Sequence, residues 1–105
     1  MKNDLTLFRL YVEEQNEAAF AELVHRHLNM VWGVSRRITR DDDLAKDVAQ
    51  MVFSDLARKA SRRPPSLIMA AWLHRAASLA ARKCVRTYVR RGERERKAMY
   101  LLFNP

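Results

Sequence analysis

Apolar residues recur along this chain at spacings of three and four, and one segment interrupts the pattern sharply. Leu5, Phe8 and Tyr11 predict a short amphipathic helix over 4–14, with Asn3 or Asp4 as N-cap and a stop near Gln15. Asn16 can cap a second helix, in which Phe20, Leu23, Val24, His27, Val31, Val34 and Ile38 share one face as far as about Arg40. Asp41, Asp42 and Asp43 then stand where a helix N-terminus favours negative charge, ahead of Leu44, Val48, Val52 and Leu56 at strict spacing four. The run Ser61-Arg62-Arg63-Pro64-Pro65-Ser66 breaks the periodicity, because consecutive prolines remove backbone donors and push the preceding residue out of the helical region. From Ser66 onward Trp72, Leu73, Ala76, Ala77, Ala80, Cys84 and Tyr88 mark a fourth helix that extends to about Arg96.

The pattern therefore predicts an all-α chain, a compact bundle of three to four helices over 1–97. Residues 98–105 follow as an apolar tail, which either docks on the bundle or is the stub of a linker to a missing second domain. Composition supports the class: with 49% hydrophobic and 30% charged residues and only two glycines, the chain suits helices better than turn-rich β structure. Its 105 residues leave room for one core.

Charge adds a direction. Residues 1–55 carry seven Lys/Arg against ten Asp/Glu, net −3, whereas residues 56–105 carry thirteen against two, net +11. The basic half favours a polyanion, with nucleic acid ahead of a membrane surface, which attracts the same cations. Cys84 is the only cysteine, so no intramolecular disulfide can form, and a reducing cytoplasmic setting fits. The N-terminus mixes charges with its apolar residues as no signal peptide does, and no apolar run approaches the roughly 18 residues of a membrane span.

Catalytic patterns are missing. Gly33 and Gly92 cannot build a phosphate-cradling loop. His25 and His27 lie two apart, which on a helix points them to different sides, so no metal and no cofactor is expected. His27 falls in register with the apolar stripe and reads as a core histidine hydrogen-bonded to a neighbour, whereas His25 reads as exposed. Cys84 reads as a small buried hydrophobe, and the aspartate triplet as helix capping in preference to metal binding or acid catalysis.

The run Asp43-Leu44-Ala45-Lys46-Asp47-Val48-Ala49-Gln50-Met51-Val52-Phe53, followed by Leu56, resembles the polymerase-docking helix of bacterial sigma factors, especially the extracytoplasmic-function group. Phe20, Leu23, Arg26 and His27 upstream and Ala71-Trp72-Leu73-His74-Arg75-Ala76-Ala77 downstream extend the resemblance over residues 17–97. It implies region 2 of the sigma fold, a non-enzymatic domain that docks on the clamp helices of RNA polymerase and recognises and melts the promoter −10 element for transcription initiation. An anti-sigma factor is a further partner of such domains.

Carried residue by residue, the resemblance makes Asp47, Gln50, Met51 and Ser54 the polymerase-binding candidates. Arg62, Arg63 and Ser66 would hold an unstacked base of the non-template strand, and Arg75, Arg82, Lys83, Arg86, Arg90 and Arg91 would follow the DNA backbone. The residues' own chemistry agrees, because arginine planes both stack on bases and neutralise phosphate. Phe53 and Trp72 are expected to be structural. Three positions depart from the family: Met51 replaces a usual acidic residue, Leu79 a usual asparagine, and Lys83 a polar or acidic residue.

No second helix-turn-helix module for the −35 element follows, so the stretch reads either as a domain cut from a longer chain or as a naturally short protein. Two rival functions share these features. One is a polymerase-binding regulator that no longer opens promoters; the other is a generic basic helical nucleic-acid binder with no polymerase affinity.

Overall fold

The computed structural model describes residues 2–59 and 68–104. It has four helices: α1 (Asp4–Glu14), α2 (Glu17–Thr39), α3 (Asp42–Lys59) and α4 (Met69–Phe103). The all-α bundle and the first three helix boundaries agree with the periodicity, and the reason is local. Asn3 Oδ1 accepts from the Thr6 N–H at 2.8 Å, Asn16 Oδ1 from Ala19 at 3.0 Å and Asp41 Oδ1 from Leu44 at 2.9 Å, so each start is fixed by a side chain three residues away. Gln15 and Arg40 end α1 and α2 in the left-handed region, at φ 53° and 55°, a conformation in which a side chain is strained and glycine is not. The Ser61–Ser66 break and the proposed start at Ser66 lie outside the described residues.

Helix α2 is the axis of the bundle and packs against α1, α3 and α4, while α3 also packs on α4. Leu23 and Val31 from α2, Val48, Val52 and Leu56 from α3, and Leu73 from α4 are almost wholly buried. Each such aliphatic side chain contributes roughly 1.5–3 kcal/mol through burial. Ala77 and Ala81 are also buried, and these small side chains let α4 approach the core closely. Ser35, buried beside Val34, donates to the Val31 carbonyl at 2.7 Å and leaves no orphaned hydroxyl.

Tying α1 to α2 is a polar cluster. Asp4 accepts from Arg26 at 3.2 Å and lies 2.8 Å from His27 Nε2, and the Arg26 guanidinium also donates to Glu22. His27 is thus the satisfied core-edge histidine that the stripe predicted, with 12% of its side chain exposed, and His25 is exposed. Farther along, the rings of Tyr11 and Phe20 pack 4.6 Å apart.

The buried faces differ from the expected ones in particulars. On α1 the buried pair is Leu7 and Phe8, and Leu5 is half-buried. On α3, Leu44 is half-buried, whereas Ala45, Ala49 and Phe53 join the core beside Val48, Val52 and Leu56. A strict row of fours turns about 40° per step on a helix of 3.6 residues per turn, so it cannot stay on one face for the whole of α3. Trp72 and Cys84 are half-buried against the core.

The largest correction concerns α4, which continues past Arg96 to Phe103. Its buried residues end at Ala81, and from residue 86 to 104 all but Gly92 are exposed. Tyr88 keeps the register of the packing face yet is 64% exposed, because the helix has outrun its neighbours. The segment 99–103 is helical and 57–72% exposed, so it does not dock on the bundle. Residues rich in Arg, Glu, Lys, Ala and Leu sustain helix without tertiary cover. At 1.5 Å per residue α4 is about 52 Å long, most of the 64 Å length of the molecule.

Candidate partner-helix and nucleic-acid interfaces

Because Ala45, Val48, Ala49, Val52 and Leu56 face inward, the opposite side of α3 forms a crest in water. Asp47, Gln50, Met51 and Ser54 are all exposed on it, and at about 100° per residue they fall within a third of the helix circumference. None of the four takes part in a side-chain hydrogen bond or ion pair among the described residues, so their polar groups are free to meet a partner. The crest borders a groove on either flank. Gln50 and Ser54 edge one toward α2, shared with Trp32 and Phe53. Met51 edges a smaller one toward α4, shared with Trp72, Arg75, Leu79 and Lys83.

On α4, Arg75, Arg82, Lys83, Arg86 and Arg90 are exposed and lie within an arc of roughly 100° by helical register. None is in an ion pair among the described residues, so their field is not locally neutralised. Arg91 does not join them: its register turns it roughly 130° from the middle of the arc. Arg94 and Lys97 do join, in a surface hollow with Arg90 that also holds Glu93. Lys97 lies beyond the end near Arg96 that the periodicity sets for this helix, and the helix propensity of the residues that follow is the signal that extends it; Arg94 lies inside that end, one turn on from Arg90 in the same register. Leu79, 53% exposed, interrupts the cations between Arg75 and Lys83.

Arg62, Arg63 and Ser66 lie outside the described residues, so the loop reading has no geometry here. The Asp4–His27 pair has the chemistry of a base with its orienting carboxylate, but Asp4 is also held by Arg26, which ties the pair to the α1–α2 seam. Among the described residues no group of three or more His, Cys, Asp or Glu is placed to hold a metal ion, and no helix is long and apolar enough to cross a membrane.

Among protein families, the model described as Sigma-70 region 2 matches residues 23–95, which takes in most of α2, all of α3 and the cation arc of α4 as far as Arg94. No curated protein and no solved structure matches the chain.

Proposed function

Because the chain belongs to the sigma-70 region 2 family, and with it to domains of promoter recognition that work with RNA polymerase and promoter DNA, we propose a division of labour between its two exposed helix faces. The α3 crest docks on the polymerase clamp helices through Asp47, Gln50, Met51 and Ser54. The α4 arc of Arg75, Arg82, Lys83, Arg86 and Arg90 follows the promoter backbone, and Arg62, Arg63 and Ser66 hold a base drawn from the stack. Binding drives melting in this reading. Unstacking costs a few kcal/mol per step, and each base stacked on the protein returns roughly 1–3 kcal/mol.

The observation that carries the proposal is the coexistence, on adjacent helices, of an uncharged-to-acidic crest and an unpaired cation arc, separated by the groove at Met51 and Leu79. A generic basic binder needs only the second of these. The exposure of Met51 and Leu79 favours a second reading, a polymerase-bound regulator that opens promoters poorly, since both would place apolar side chains at contacts the family makes with polar ones.

The test is titration of the chain, wild type and Gln50→Ala, against a purified clamp-helix fragment, with calorimetric readout. Saturable binding that weakens in Gln50→Ala, with DNA affinity unchanged, is the expected result. Absence of wild-type binding at tens of micromolar would remove the docking role and leave a nucleic-acid binder. If docking holds, strand-opening assays on promoter duplexes separate the initiation factor from the regulator.

A further inference from the structure

Among the described residues none of α4 beyond Ala81 is buried, yet the helix continues to Phe103, about 33 Å farther. A lone helix of that length is marginal in water, because most helical stability comes from an amphipathic face packed on something. Such a face is present. Tyr88, Val89, Gly92, Met99, Tyr100 and Phe103 fall within an arc of roughly 120° by register, and the five large side chains among them are 48–72% exposed. The cation arc runs beside this stripe, so a helix laid on the stripe leaves the cations open.

Three features make a second copy of the same chain the occupant. The first is charge. Glu93 and Glu95 are the only acids after residue 55; both are exposed, and neither is in an ion pair among the described residues. They alternate with Arg94 and Arg96, and Glu-Arg-Glu-Arg laid against its own reverse sets unlike charges level with each other. In the antiparallel register that brings Glu93 level with Arg96 of the second copy, both lie on the same flank, and twofold symmetry makes two such pairs. The second feature is cover. In that register the second copy's Phe103 comes level with Arg86, where the other helices have stopped covering α4, and its Met99 and Tyr100 meet Tyr88 and Val89. The third is Gly92. Glycine weakens a helix interior, and beyond the helix's own backbone a Cβ there would meet, among the described residues, only the Arg96 guanidinium at 3.5 Å. Packing within the chain does not require the glycine, whereas its bare backbone lets a second helix approach closely.

We propose that the overhanging stripe of α4 is a self-association surface, on which two copies pair as antiparallel helices through Tyr88, Val89, Met99, Tyr100 and Phe103, with Glu93 against Arg96 fixing the register. Its size sets the affinity. An aromatic side chain carries roughly 150–250 Å², so two stripes can remove on the order of 1,000 Å² from water, at the lower edge of specific interfaces and suited to a dimer of about 10–100 μM. The pairing does not depend on docking through α3.

The full chain is followed by sedimentation velocity from about 5 to about 500 μM, at about 0.15 M salt, where repulsion between two chains of net charge +8 is screened beyond about 8 Å. A reversible dimer is expected. Tyr88→Glu and Phe103→Glu, at positions exposed in the single chain, should keep their helix content by circular dichroism and weaken the dimer about tenfold or more. Leu101→Gln, on the far side of the same helix end, should not. Glu93→Arg or Arg96→Glu alone should weaken it about three- to tenfold, since two attractions become two repulsions, and the double exchange Glu93→Arg/Arg96→Glu should restore it. A chain that stays monomeric over the whole range overturns the proposal, as does a dimer indifferent to the stripe variants. A dimer weakened by either exchange and not restored by both overturns the antiparallel register. A monomer that sediments with phosphatidylglycerol–phosphatidylcholine vesicles, and ceases to in Phe103→Glu, would assign the stripe to a lipid surface in place of a second copy.

Discussion

If the α4 arc is a phosphate track, its salt dependence can be worked out from the helix register. Five cations share the arc from Arg75 to Arg90, and all five are exposed. On single-stranded DNA each phosphate neutralised contributes about 0.7 to the slope of log K against log salt, so full engagement gives a slope of about −3.5, or about −4.5 on duplex. Between 50 and 200 mM salt this is a loss of roughly 130-fold in single-strand affinity. The double variant Arg82→Ala/Arg86→Ala removes two contacts near the middle of the arc, so its slope should be near −2.1 and its loss over the same range about 20-fold. Arg91→Ala removes the same charge on a different side of the helix and should leave the slope nearly unchanged. Fluorescence anisotropy with a labelled oligonucleotide at four or five salt concentrations measures all three slopes. Equal slopes for the double variant and wild type would refute the track. A fall in slope for Arg91→Ala half as large as that of the double variant would show that net charge acts without the geometry.

Two further expectations concern the scaffold. Asp4→Ala removes the acceptor shared by Arg26 and His27; allowing for partial exposure, the loss should be about 1–2 kcal/mol, or about 5–15 °C in Tm by calorimetry, and a change below about 0.5 kcal/mol would mean that α1 is held by Leu7 and Phe8 alone. Arg40→Gly relieves the left-handed C-cap of α2 and should raise stability by about 0.5–1 kcal/mol in urea unfolding; a lower midpoint would show that the cap strain is offset by contacts of the arginine.

The helix starts are encoded locally. Asn3, Asn16 and Asp41 act on N–H groups three residues away, so the starts of α1, α2 and α3 could be read directly. The stripe of α2 was legible because helix α2 is covered along most of its length. The face of α3 was legible only in outline: its row of fours marked Val48, Val52 and Leu56, but the pitch brought in Ala45, Ala49 and Phe53, small or aromatic residues that a search for branched aliphatics underweights. The docking crest followed as the complement of that face. The groove beside it did not, because Leu28 and Trp32 belong to a different helix and their proximity to Lys46 and Gln50 is long-range.

By itself the sequence determined the helical class, the starts of α1, α2 and α3, the family resemblance and the segregation of positive charge into the second half, since each depends on spacing or content along a single segment. The tertiary structure decided where each apolar stripe is covered and where it runs on uncovered. Tyr88 and Leu73 occupy related registers on α4, yet one is in water and the other fully buried. Burial belongs to pairs of segments: a residue's own periodicity states which way it faces, and only the arrangement of the other helices states whether anything is there to meet it.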